Sequence, residues 1–158
     1  HMLETPIGFK HICREMTERD VLIGGEESGG LGVKGHLPER DGIFVGLLLC
    51  EMMAVRRKRL GELVQELMNE YGQHEFKRID LHLTEKEKTV RIQKYRKGVK
   101  KIGEFNVTGR KDTDGFKFFV DGGWLLVRAS GTEPLIRFYA EGGSVAAVDA
   151  LLAAATHR

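Results

Sequence analysis

A chain of 158 residues, 41% hydrophobic and 30% charged, has room for one medium or two small globular domains, and this composition excludes a disordered or fibrous protein. A net charge of +2, from 25 basic and 23 acidic residues, gives no general attraction to polyanions but leaves room for a local site for one small anion. The longest apolar run, around Gly46 to Val55, is broken by Glu51 and is too short for a bilayer, so no membrane partner is expected. Two distant thiols, Cys13 and Cys50, read as reduced, which points to a cytoplasmic location. The six histidines show no ligand spacing, which argues against zinc.

In chain order, His1-Met2 reads as a cloning remnant, and the abrupt extended start at Leu3-Glu4-Thr5-Pro6 reads as a boundary inside a longer protein. Val21-Leu22-Ile23-Gly24 predicts a short buried strand leading into a glycine-dense loop, Gly25 to Gly32. Such glycine density marks backbone that a Cβ would block, or backbone that a ligand approaches closely. Asp41 is placed to cap a helix running from Gly42 to the basic cluster Arg56-Arg57-Lys58-Arg59. The first half of that helix is apolar nearly all round, which predicts deep burial. Leu60, Leu63, Val64, Leu67, Met68 and Tyr71 recur at helical spacing, and Gly72 is a natural stop. A boundary therefore falls near Gly72 to His74, giving domains 1–73 and 74–158.

Beyond it, Arg78 to Leu83 alternate like a strand, and Thr84-Glu85-Lys86-Glu87 is a capping box opening a charged helix. Strands are predicted over Phe116 to Val120 and Trp124 to Arg128, joined by Asp121-Gly122-Gly123, and again over Leu135 to Glu141. Ser144 caps a last helix whose apolar side carries Val145, Val148, Leu151 and Leu152. The expected fold class is thus an α/β first part, an incomplete mixed sheet with helices, followed by a small α+β domain. In that second domain an antiparallel sheet carries its helices on one face.

Arg128-Ala129-Ser130-Gly131-Thr132-Glu133-Pro134 holds the densest chemistry. An arginine ends a strand, Ser130 and Thr132 offer hydroxyls, Gly131 can present its amide, and Arg137 supplies a second cation beyond the loop. Consecutive amides in such a turn form an anion nest, to which an arginine adds charge-assisted bonds. Residue types alone leave an ordinary polar turn equally open. The longer string Arg128 to Arg137, with Trp124-Leu125-Leu126-Val127 before it and Phe138-Tyr139-Ala140-Glu141 after it, resembles the phosphate-binding signature of the α-D-phosphohexomutases, the phosphoglucomutase/phosphomannomutase family. Gly25-Glu26-Glu27-Ser28-Gly29 resembles the same family's sugar-binding loop, and Gly35 to Ile43 its continuation into a helix, with Gly30 standing where many relatives have histidine. Thr5-Pro6-Ile7-Gly8-Phe9-Lys10 is similar to the segment that carries an active-site lysine in related enzymes, with Lys10 in the matching place.

The resemblance implies sugar contacts from Glu26, Ser28 and Lys10 and phosphate contacts from Arg128, Ser130, Gly131, Thr132 and Arg137. Glu26 and Ser28 would read the 3- and 4-hydroxyls, which glucose and mannose share. It implies a four-domain isomerase that interconverts hexose 1-phosphate and hexose 6-phosphate, glucose favoured and mannose close behind. The reaction runs through an enzyme phosphoserine, with Mg2+ and hexose 1,6-bisphosphate as the full-length enzyme's cofactors. None of Ser28, Ser130 and Ser144 lies in a catalytic-serine loop, and Asp112-Thr113-Asp114 has only two of the three aspartates of the magnesium motif and reads as a hairpin turn. The chain therefore reads as most of the third domain plus the whole fourth, without catalytic residues, cofactor or metal site of its own. It is expected to be inactive alone and to have hexose phosphates and the missing N-terminal domains as partners. The fourth domain is expected to swing about a hinge near Gly72 to Glu75. A sheet edge left without its neighbour could make the fragment dimerise. Two rival readings remain: a stand-alone phosphosugar-binding module, and nucleic-acid binding through Arg91, Lys94, Arg96, Lys97, Lys100 and Lys101. Only Tyr95 interrupts that basic stretch, so a solvated helix face explains it better and no nucleic-acid partner is expected.

Overall fold

The computed structural model describes residues 1–157. The chain divides into two compact units, one ending at Leu67 and the other beginning at Met68.

The first unit contains α1 (Phe9–Glu18), β1 (Ile23–Gly25), β2 (Leu31–Val33) and α2 (Gly42–Arg56), and α3 (Leu60–Tyr71) runs past the division. β1 and β2 form an antiparallel pair in which Gly24 faces Gly32. These two glycines let α1 lie close on the hairpin. A Cβ at Gly32 would sit 2.9 Å from the Met16 sulfur, and one at Gly24 would run into Ile12. Phe9 and Ile12 are buried in that contact. Asp41 caps α2 as its position predicts, its Oδ1 accepting from the Ile43 and Phe44 amides at 3.0 Å each. Gly72, at φ +96°, closes α3 by donating its amide to Met68 O.

Two burial expectations fail here. The strand begins at Ile23 rather than Val21 and is not buried, with Leu22 74% and Ile23 56% exposed. No residue of α2 is buried, and Ile43 is 82% exposed. The physical reason is the same in both cases. An apolar pattern states what an element can bury, whereas burial itself needs a covering layer, and the only sheet in this unit is one strand pair.

The second unit is better covered. It runs β3 (Glu75–His82), α4 (Glu85–Arg96), β4 (Lys101–Ile102), β5 (Phe105–Lys111), β6 (Phe116–Val120), β7 (Gly123–Ala129), β8 (Leu135–Gly142) and α5 (Val145–Thr156). Its strands form one antiparallel sheet in the order β3-β8-β7-β6-β5-β4. Alternation sends Phe118, Leu125, Val127, Ile136, Phe138 and Ala140 to one face, where all are fully buried. Tyr95 of α4 and Val148, Leu151, Leu152 and Ala155 of α5 close over them. The Tyr95 hydroxyl reaches Ala155 O at 2.8 Å, so the polar tip that enters this core is satisfied. The predicted capping box is present at Thr84 and Glu87, and Ser144 Oγ accepts from the Ala147 amide. The α/β first part and the small antiparallel α+β second part are therefore found, together with α1, β4 and β5, which periodicity had not marked.

Candidate functional site

The second unit's site grows from cross-strand register. Arg128 on β7 stands directly opposite Arg137 on β8, and Arg137 stands opposite Asp80 on β3. Directly opposed residues share a face of the sheet, so two guanidiniums are held side by side, an arrangement that repels unless anions flank it. Anions do flank it. Asp114, on the turn between β5 and β6, accepts from Arg128 Nε at 3.1 Å. Asp80 Oδ2 lies 3.7 Å from Arg137 Nε, and Glu133 Oε2 accepts from Arg137 Nη2 at 3.1 Å. The order across the sheet is thus carboxylate, cation, cation, carboxylate. Arg137 Nε is buried and makes no hydrogen bond. Asp80 also takes a two-point grip from Arg78, 2.7 Å at each oxygen, which with Arg137 beyond it holds the carboxyl below the usual range.

The loop from Ser130 to Pro134 closes beside the arginines. Ser130 is 5% exposed, and its Oγ accepts from the amides of Thr132 at 3.4 Å and Glu133 at 3.2 Å. That serine therefore shapes the loop from within, with its own hydrogen left to donate. Gly131 and Thr132 stand exposed at the tip. The loop is anchored on three sides: Ser130 N donates to Leu135 O, Leu83 N to Pro134 O, and Lys88 Nζ to Glu133 O at 3.0 Å. Lys88, reaching from α4, and Asp114 were both missed in the sequence. Nothing in one strand's pattern announces a partner 45 residues away.

In the first unit, Glu26 opens the turn between β1 and β2. The Glu26 amide donates to Gly30 O, and Gly29, at φ +91°, donates to Glu26 O. Ser28 projects from the tip, exposed. The Glu26 side chain is only 11% exposed, and Arg40 Nη1 donates to its Oε2 at 3.2 Å. Arg40 is another residue that sequence reading did not single out. Gly30 is its cue, because a Cβ there would press to 3.2 Å on the Arg40 side chain. Lys10 is exposed in the first turn of α1. His36 is occupied structurally, bonded to Asp41 Oδ2 at 2.9 Å and stacked on Phe44. The Phe44 amide and then His36 hold the Asp41 carboxyl below its usual value.

The basic stretch does not form one stripe. α4 stops at Arg96, Gly98 turns at φ +87°, Arg91 is bonded to Thr156 O, and Lys94 lies over the Tyr95 ring. Among the described residues, no three His, Cys, Asp or Glu side chains gather so as to hold a metal ion. No described helix is long and apolar enough to cross a membrane.

The chain thus joins a hairpin-and-helix α/β unit with a carboxylate turn to a six-stranded antiparallel unit with an arginine-flanked loop. The family model for phosphoglucomutase/phosphomannomutase alpha/beta/alpha domain III matches residues 1–71, and the model for that family's C-terminal domain matches residues 79–157. The chain belongs to the phosphoglucomutase/phosphomannomutase family. Among relatives, it is 36% identical over 146 residues to a phosphoglucomutase/phosphomannomutase of Thermococcus kodakarensis, covering 90% of this chain and 29% of that protein. It is 33% identical over 147 residues to a phosphoglucosamine mutase of Carboxydothermus hydrogenoformans, covering 89% of this chain and 28% of the other. A solved structure from Thermus thermophilus, described as a phosphomannomutase, superposes with a TM-score of 0.75 at 36% identity, over 96% of this chain and 29% of that one. The chain thus spans under a third of the length of these relatives.

Proposed function

We propose that this chain is the substrate-recognition part of a phosphohexomutase, dividing at 1–73 and 74–158, with the second part holding the phosphate of a hexose phosphate. The observation that carries this reading is the pair Arg128 and Arg137, opposed on one sheet face at the mouth of the Ser130–Pro134 loop. A phosphate dianion relieves the repulsion between two neighbouring guanidiniums and accepts from both. The amide of the exposed Gly131 and the Ser130 and Thr132 hydroxyls are the remaining donors. The hexose ring falls to Glu26, Ser28 and Lys10, with Arg40 setting the direction of the Glu26 carboxylate.

The relatives bear names of glucose, mannose and glucosamine mutases, which differ at the sugar's 2-position. Residues that read the 3- and 4-hydroxyls are indifferent to that change. In the whole enzyme, phosphoryl transfer between the 1- and 6-positions would pass through a phosphoserine and a hexose 1,6-bisphosphate. Mg2+ would supply charge stabilisation there. This chain's described residues do not fit a magnesium site, so serine and metal alike would come from the N-terminal domains, and the isolated chain would be inactive. Those domains would also cover the apolar faces left open in the first unit, or a second copy would take their place. A cytoplasmic setting suits a phosphorylated small-molecule substrate.

The test is a titration of the chain with glucose 6-phosphate and with inorganic phosphate. Arg128→Ala is expected to weaken both by about tenfold or more, the scale of one charge-assisted pair. Glu26→Ala is expected to weaken glucose 6-phosphate alone. An Arg128→Ala titration matching the wild type would refute the assignment.

A further inference from the structure

We propose that Asp114 is the positioning residue of the phosphate site: it holds Arg128 by Nε alone and so presents that guanidinium's two terminal nitrogens as a fork for two phosphate oxygens. The proposal rests on the reading of the Arg128–Thr132 loop given above.

Three arginines of this unit hydrogen-bond to aspartates, and they do so in two ways. Arg78 grips Asp80, and Arg110 grips Asp112, through Nε and Nη2 together at 2.6 to 2.7 Å. Each of these spends one full edge of its guanidinium on a carboxylate two residues away along its own chain. Arg128 differs. Its one side-chain hydrogen bond among the described residues is from Nε to Asp114 Oδ1, at 3.1 Å, and Asp114 belongs to a different strand connection. A guanidinium carries five donors in a rigid plane, so fixing Nε sets the plane while Nη1 and Nη2 keep their protons for a ligand.

The turn that delivers Asp114 is pressed against the strand it serves. Gly115 has φ +76°, and a Cβ there would lie 2.5 Å from Val127 O and 3.3 Å from Arg128 Cα. Backbone-to-backbone approach, which only glycine permits here, therefore fixes where Asp114 stands relative to Arg128. The two side chains are 26% and 25% exposed, so the pair is sheltered enough to matter and open enough to admit an anion.

The sign of the effect separates positioning from bulk electrostatics. Asp114 is a negative charge beside a phosphate site, and Coulomb repulsion alone makes its removal strengthen phosphate binding. Positioning makes its removal weaken binding, because Arg128 then loses its orientation to free rotation about a long side chain.

The experiment titrates the 158-residue chain with inorganic phosphate and with glucose 6-phosphate, following backbone amides and arginine Nε–Hε signals by NMR. Asp114→Asn keeps the turn's size and removes the charge. The expected result is a broadened or shifted Arg128 Nε–Hε signal and affinity for both ligands lower by about three- to tenfold, the worth of one charge-assisted bond discounted for solvent. In an Arg128→Lys background, which has no fork to orient, Asp114→Asn is expected to cause no further loss, with thermal midpoints unchanged. Tighter or equal binding by Asp114→Asn overturns the proposal. So does an equal loss in the Arg128→Lys background with a lowered midpoint, which marks a merely structural role. If the unaltered chain binds neither ligand, the reading of the loop falls and takes this proposal with it. If the unaltered chain binds and Asp114→Asn binds equally, the positioning role alone falls.

Discussion

The two units place their candidate loops on very different foundations. In the first, the Glu26 turn sits on a two-stranded hairpin backed by α1, and the neighbouring α2 is apolar yet has no buried residue. In the second, the arginine loop leaves a six-stranded sheet whose covered face holds six fully buried side chains under two helices. A site that must hold a doubly charged anion needs fixed donors, and a packed sheet supplies them through register. The Glu26 carboxylate, proposed to read hydroxyl groups, is directed by one ion pair, with Arg40. On the proposed reading, preorganisation follows the charge to be held.

That contrast is open to attack by mutation, and the largest effect is expected in the second core. Phe138→Ala, at a fully buried position, is expected to cost about 3–5 kcal/mol in chemical denaturation. A middling effect is expected from Ser144→Ala, which removes the cap of α5 and should cost about 1 kcal/mol, read by the same method. Leu47→Gln on the exposed side of α2 is expected to change stability by about 0.5 kcal/mol or less, while reducing any self-association seen by sedimentation. A loss at Leu47 comparable to that at Phe138 would break the comparison.

The smallest effect is in pH dependence, and here both units behave alike. Asp41 and Asp80 have folded-state values below the ordinary carboxylate range, the first through helix amides and His36, the second through Arg78. A carboxyl depressed in the folded state contributes stability that is fully present above its unfolded value, roughly pH 4, and is lost as pH falls through the folded value. The thermal midpoint should therefore be flat on this account from neutrality to about pH 5 and fall below about pH 4. Asp80→Asn should flatten that acid limb for the second unit.

How far the sequence could be read follows the same division. Local signals were legible: the Asp41 cap, the Thr84–Glu87 box, Ser144, Gly72, and the alternating strands from Phe116 and Leu135. β5 escaped because its alternation, Phe105 and Val107 against Asn106 and Thr108, is only four residues long before Gly109, and its register shifts between Val107 and Gly109. α1 escaped because its buried face, Phe9 and Ile12, is short and lies beside residues that read as an extended start. Burial of α2 was misjudged because periodicity describes one element and covering requires another. At the candidate site, the loop residues were legible through their resemblance to a known signature. Their supports were not, since Asp114, Lys88 and Arg40 act across 14 to 45 residues of chain that the fold alone brings together.

The Arg128 and Arg137 pair, with the loop between them, is proposed to hold a phosphate dianion. Inorganic phosphate added to the isotopically labelled chain reports on this residue by residue. The account predicts that the largest amide shifts fall between Ala129 and Glu133, saturate, and vanish in Arg128→Ala. Shifts concentrated instead along Arg91 to Lys101, or none that saturate anywhere in the second unit, would contradict it.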